Sequence, residues 1–126
     1  MEAIVASVIA AIAIIGLAYT FGIGRGQVDR YEVARAALSL AKTEMDSLAI
    51  VWAQRPSSDS LLIGYTSPAR PFVYEGTTRG SAGWQIAAYS SPTAPSVSMR
   101  RATVTVTWVS GSLSDSLRLD RLFPMP

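Results

Sequence analysis

From Ala3 to Gly24 the chain carries no charged side chain, and most of its residues there are apolar. A helix of that length reaches ~33 Å, enough to cross a hydrocarbon core of ~30 Å. The segment can therefore span a bilayer. A cleaved secretory signal is the poorer description, because such signals carry a basic leader and a shorter apolar stretch. Only Met1 and Glu2 precede this one.

The charges around the segment conflict with one another. Arg25 and Arg30 follow it and no base precedes it, so the positive-inside rule, read directly, places the C-terminal part in the cytoplasm. A chain that begins so close to its membrane segment reads as lacking an N-terminal piece, and a basic leader there would reverse the count. Glu2 stands at the edge of the anchor. A carboxylate drawn into lipid needs a partner, for which a free α-amine is a candidate. One that stays among the headgroups suits the positive end of the helix dipole.

The helical pattern continues past the anchor. Gln27 to Arg55 holds no Gly or Pro, and Tyr31, Ala34, Leu38, Ala41, Met45, Leu48 and Trp52 recur at spacings of three and four, which is one stripe of an amphipathic helix. Asp29, Arg30, Glu32, Arg35, Lys42, Glu44 and Asp46 occupy the other side, and Pro56 ends the run by disfavouring α geometry at Arg55. The two halves read as one helix of about 54 residues, ~80 Å if unbroken. Gly22, Gly24 and Gly26 interrupt it. Each costs ~1 kcal/mol relative to Ala in a helix interior, so the rod is expected to unwind or bend there, at the membrane border marked by Arg25. The Gly22/Gly26 spacing also permits close helix contact, which is a weaker signal than local melting.

Beyond Pro56 turns and short strands take over. Loops are expected at Pro56–Asp59, Ser67–Pro71, Gly76–Gly83 and Ser90–Ser98, and strands at Leu61–Tyr65, Phe72–Glu75, Trp84–Tyr89, Ala102–Val109 and Leu113–Phe123. In the clearest strand Val104, Val106 and Trp108 alternate with Thr103, Thr105 and Thr107, so one face is buried and one is wet. Ser110-Gly111 suits a tight turn, after which Leu113, Leu117 and Leu119 return on the buried face. Asp115 does not fit that face, which leaves room for a bulge or a longer loop. A two-layer α+β head follows, with the sheet packed on the Tyr31–Trp52 stripe. Residues 1–26 are the membrane or filament stalk, and residues 27–126 the head, made of helix 27–55 and sheet 56–126. The expected helix–sheet core comprises Tyr31, Leu38, Met45, Leu48, Trp52, Val104, Val106 and Trp108, with Trp84 also read as core.

Composition narrows the function. A chain of 126 residues usually forms one domain. With no Cys and no His, it has no disulfide, no thiolate nucleophile, no Zn site built on either residue, and not the commonest general base. Phosphate-binding loop, Gly-x-Ser-x-Gly, dinucleotide and paired-His motifs are missing too, so neither an enzyme nor a cofactor is expected. Ten Arg and one Lys are scattered against nine acids, with Arg100-Arg101 the only adjacent basic pair. No nucleic acid is expected as a partner, because its binders concentrate bases on one face. Binding, assembly and anchoring remain.

The opening Glu2-Ala-Ile-Val-Ala-Ser-Val-Ile-Ala-Ala-Ile-Ala-Ile-Ile-Gly16, with the Ala-rich stretch that ends in Ala41-Lys-Thr-Glu-Met-Asp-Ser-Leu48, resembles the N-terminal helix of type IV pilin-like proteins. Minor pilins and minor pseudopilins of the V and I types are the nearest likeness, since their chains often end in a Val-x-Val-x-Trp hairpin like Val104 to Trp108. The resemblance covers Met1 to Ile50 well and the C-terminal hairpin loosely. The family's leader, its cleavage glycine and the first few mature residues are absent. Glu2 matches the glutamate near the start of mature pilins. The lack of a Cys pair removes the C-terminal disulfide loop of many major pilins and favours a minor subunit.

The resemblance implies a pilin-like fold and a single-pass precursor in a bacterial inner membrane with its head extracytoplasmic. A prepilin peptidase would cleave and N-methylate it, and an assembly platform would move it into a surface or periplasmic filament of packed N-terminal helices. Other pilin-like subunits are then its partners. Glu2 would neutralise a neighbour's terminal amine, and Gly22, Gly24 and Gly26 would form an extensible joint. The competing expectation is a single-pass anchored extracytoplasmic domain that never polymerises. The reading leaves open whether the filament serves a pilus, competence or type II secretion.

Overall fold

A computed structural model describes all 126 residues. One helix, α1 (Glu2–Gln54), precedes four strands, β1 (Arg70–Tyr74), β2 (Thr77–Ser90), β3 (Ser98–Ser110) and β4 (Leu113–Pro124). The strands form a single antiparallel sheet in the order β1-β2-β3-β4, and the C-terminal part of α1 packs on it, an α+β arrangement. The chain divides into two compact units, Met1–Glu32 and Val33–Pro126.

Within Val33–Pro126, α1 buries Val33, Ala37, Ala41, Met45 and Leu48. The expected stripe holds from Ala41 onward but is rotated by one residue before it. Val33 and Ala37 have no exposed surface, whereas Leu38 is half-buried and outside the core cluster and Tyr31 is 71% exposed. Both residues are thereby corrected as core positions. The physical reason is close approach: Val33, Ala37 and Ala41 are small and lie one above another at i, i+4, so the sheet settles against them, and burial begins only at Val33. Trp52 is half-buried, stacks on Phe123 at 5.8 Å and donates Nε1–H to the Pro124 carbonyl at 3.2 Å.

The sheet supplies Phe72, Ala82, Ile86, Ala102, Val104, Val106, Trp108 and Phe123 to the same core. β3 pairs with β4 from Met99↔Pro124 to Ser110↔Leu113 without a break. The expected hairpin is present, closed by Gly111 and Ser112 with Gly111 at φ +63°. Asp115 neither bulges nor lengthens the loop. It pairs with Trp108 and stays exposed, because β4 is an edge strand and its side chain reaches water from there. Leu113 is also 52% exposed, while Leu117 and Leu119 pack against the core.

Two expectations about β2 and its neighbours fail. Gly76–Gly83 is mostly strand, since β2 begins at Thr77. The turn before it consists of Glu75 and Gly76, both at positive φ (+50° and +74°), the pattern of a two-residue hairpin turn matched to strand twist. Gly80 is required by close packing, because a Cβ there would lie 1.8 Å from the Thr107 carbonyl oxygen. Leu61–Tyr65 is not a strand. Asp59–Leu61 forms a 3-10 turn, after which Gly64, Tyr65 and Ser67 exchange backbone hydrogen bonds with Trp84 and Ile86 of β2 around an isolated Thr66↔Gln85 bridge. Buried Leu61 fills the core from that turn, so its apolar signal reflects burial without sheet pairing.

In Met1–Glu32 the helix runs without interruption. The unwinding expected at Gly22, Gly24 and Gly26 does not occur. Three glycines cost ~3 kcal/mol in propensity, but each lies inside a long helix whose hydrogen-bond ladder is already nucleated and need only propagate.

Candidate functional site: an uncovered apolar helix

The feature of Met1–Glu32 that demands a function is its surface. Ile4, Val5, Val8, Ile9, Ile12, Ile14, Ile15, Leu17, Tyr19, Phe21, Ile23 and Val28 are each between 48% and 72% exposed. They cover the helix on every side, so no single face defines a soluble packing surface. The two hydroxyls of the stretch that are not phenolic turn inward. Ser7 Oγ donates to the Ile4 carbonyl at 2.8 Å and Thr20 Oγ1 to the Gly16 carbonyl at 2.9 Å. The helical backbone bonds internally as well, so the segment presents few unsatisfied polar groups to an apolar medium. It is the one helix long and apolar enough to cross a membrane.

Glu2 lies in the first turn and is exposed. There its carboxylate complements the partial positive charge of the helix N-terminus. Further along, Leu17, Thr20, Phe21, Gly24, Arg25 and Val28 outline a groove, with Gly24 leaving the helix backbone bare at its centre. A Cβ added to Gly22, Gly24 or Gly26 would meet no atom within 4 Å, so alanine fits all three positions.

Val33–Pro126 contributes different chemistry. Met45, Leu48, Val104, Val106 and Trp108 are buried as expected. Trp84 is half-buried, and its ring packs tilted against Tyr65 at 5.0 Å. The outer face of the sheet is not uniformly wet, since Thr103 is buried and donates to Asp120 Oδ1 at 2.6 Å. Thr103 also lines a shallow groove of about 310 Å³, together with Ser67, Ala69, Trp84, Gln85 and Thr105 among others. No group of three or more carboxylates gathers into a metal-ligating cluster.

Sequence reasoning missed Arg100. It is one of two adjacent arginines with opposite fates: Arg101 lies over the Tyr89 ring at 5.8 Å, whereas Arg100 is 7% exposed and donates Nη1–H to the carbonyls of Pro56 (3.1 Å) and Leu61 (2.7 Å). The period of two through Arg100, Ala102, Val104, Val106 and Trp108 was the signal that could have found it. Compared with family models, with curated proteins and with solved structures, the chain matches none of them.

Proposed function

We propose that the chain is a structural subunit which is held in a bacterial inner membrane by Ala3–Gly24 and assembles through that helix into a pilin-like filament, as a minor pilin or pseudopilin of a pilus, competence or type II secretion system. The observation that carries this reading is that the apolar window of α1 is wholly uncovered. An all-round apolar helix needs lipid before assembly and other such helices after it, because burying each large side chain is worth ~1.5–3 kcal/mol. The resemblance of Met1–Ile50 to pilin-like proteins supports the filament. A prepilin peptidase and an assembly platform enter as its consequences, as does an extracytoplasmic head.

In this reading Glu2 neutralises the terminal amine of a neighbouring subunit, which repays its transfer out of water. Glu2→Ala is expected to leave the protein folded and membrane-bound while lowering its recovery in sheared surface or periplasmic filaments at least tenfold. Equal recovery at equal membrane abundance would remove Glu2 from assembly. The second reading, a single-pass anchored extracytoplasmic domain that does not polymerise, rests on the same uncovered helix, which lipid alone would cover. It predicts no sheared fraction for either form.

A further inference from the structure

We propose that the groove outlined by Leu17, Thr20, Phe21, Gly24, Arg25 and Val28 binds one anionic phospholipid, with an acyl chain laid over Gly24 and the phosphate held by Arg25. The proposal rests on the membrane reading above. The six residues stand at i, i+3, i+4, i+7, i+8 and i+11, so they share one face of α1. The groove they outline measures about 510 Å³. Leu17, Phe21 and Val28 are its exposed apolar walls, and Gly24 between them leaves open space where a side chain would stand. Thr20 turns its hydroxyl onto the Gly16 carbonyl at 2.9 Å, so that donor is already satisfied. Walls of this kind suit a hydrocarbon chain.

Arg25 sets the charge of the occupant. It is exposed and has neither an ion-pair nor a hydrogen-bond partner within the chain. A helical side chain leans toward the N-terminus, which brings the guanidinium back toward the groove while its stem lies along apolar surface. From Leu17 to Arg25 the helix rises ~12 Å, close to the ~15 Å of hydrocarbon in one leaflet. A lipid whose phosphate meets Arg25 therefore has its tail beside Thr20 and Leu17, the direction in which tails run from the border that Arg25 marks. The guanidinium fork matches two phosphate oxygens at once. An anionic headgroup leaves that bond uncontested, whereas the choline of a zwitterionic headgroup offsets the phosphate.

A second copy is the other candidate for the groove, because bare backbone at Gly24 permits close helix contact. The groove holds no carboxylate, so two copies joined through this face would set one Arg25 against the other at the edge of the lipid, where an unneutralised cation is costly. Arg25 thus selects an anionic occupant over its own copy. Arg30 provides the comparison on the same helix. It is exposed as well, but it lies about 140° around the axis from Arg25 and does not line the groove.

The test uses the full chain, ¹⁵N-labelled in uncharged maltoside micelles and titrated with dioctanoyl phosphatidylglycerol, dioctanoyl phosphatidylcholine or inorganic phosphate. Phosphatidylglycerol is expected to move the amides of Leu17–Val28 saturably and to bind about fivefold tighter than phosphatidylcholine, the effect of one base at an anionic lipid surface. Phosphate alone moves none of them. Arg25→Gln abolishes the preference, Arg30→Gln leaves it, and Gly24→Leu, which puts a side chain into the groove, weakens both lipids several-fold. Equal affinities, equal loss of preference in the two arginine variants, undiminished binding by Gly24→Leu, or the same shifts from phosphate alone would overturn the proposal. Groove amides that move with protein concentration in the absence of lipid would overturn it too, by giving the face to a second copy. Flotation with phosphatidylcholine vesicles checks the membrane reading separately: a chain that floats but shows no lipid preference overturns the groove proposal alone, and one that does not float overturns both.

Discussion

At the scale of single residues, the two most informative polar groups are Arg100 and Asp120. Arg100 buries a cation with no carboxylate in reach, and its two hydrogen bonds hold the Pro56–Leu61 connection against the end of the sheet. Arg100→Met leaves both carbonyls without that donor. Loss of charge-assisted bonds outweighs relief of the buried charge, so the variant should be destabilised by about 2 kcal/mol, read from its urea midpoint. Asp120 works through pH. The hydrogen bond from Thr103 is the largest effect on its carboxyl, and with help from the Arg118 guanidinium and, more weakly, Arg101 it outweighs the opposing desolvation and holds the group below the ordinary carboxylate value. A folded value below the unfolded ~3.9 means that the contribution is fully present above about pH 4 and is lost as pH falls through the folded value. Asp120→Asn removes this dependence. Denaturation midpoints measured from about pH 6 down to about pH 2 should therefore fall more steeply for the unmodified chain.

At the scale of elements, α1 carries two patterns with different endings. From Val33 onward it has a covered face, and its burial follows an i, i+4 ridge of small residues. Before that it is bare all round. Gly22, Gly24 and Gly26 lie in the bare part and are helical, so any extension there belongs to the assembled state. Replacing all three by Ala adds ~3 kcal/mol of helix propensity and meets no steric obstacle. If the segment extends on assembly, the triple variant should show unchanged membrane abundance and a filament yield reduced several-fold. Unchanged yield in sheared fractions would leave the glycines as a spacer only.

At the scale of the whole molecule, the two units have opposite solvent requirements. The apolar side chains of Ala3–Gly24 are uncovered, while Val33–Pro126 has its own core of helix and sheet. Deletion of residues 1–26 should yield a soluble, monomeric domain with a cooperative thermal transition. Sedimentation without detergent checks this, and aggregation relieved only by detergent would show that the domain depends on the anchor to cover its surface.

The membrane-length segment, the long helix, its stop before Pro56 and the β3–β4 hairpin were legible in the sequence, because each rests on local chemistry: hydropathy sustained from Ala3 to Gly24, an apolar period, the steric effect of a proline, alternation of Val with Thr. The exposed Glu2 and the glycine cluster were equally visible as residues. Their consequences were less so. Tertiary structure decided which of two overlapping ridges of α1 meets the sheet, since Val33/Ala37 and Ala34/Leu38 have nearly the same period and only the closeness of the opposing β-sheet selects the smaller pair. It turned Gly80 and Gly83 from a loop into strand, because Gly80 is demanded by the Thr107 backbone of β3, far along the chain but adjacent in the sheet. It also separated Arg100 from Arg101. These outcomes depend on contacts between residues far apart in the chain, and local propensity carries no record of such contacts.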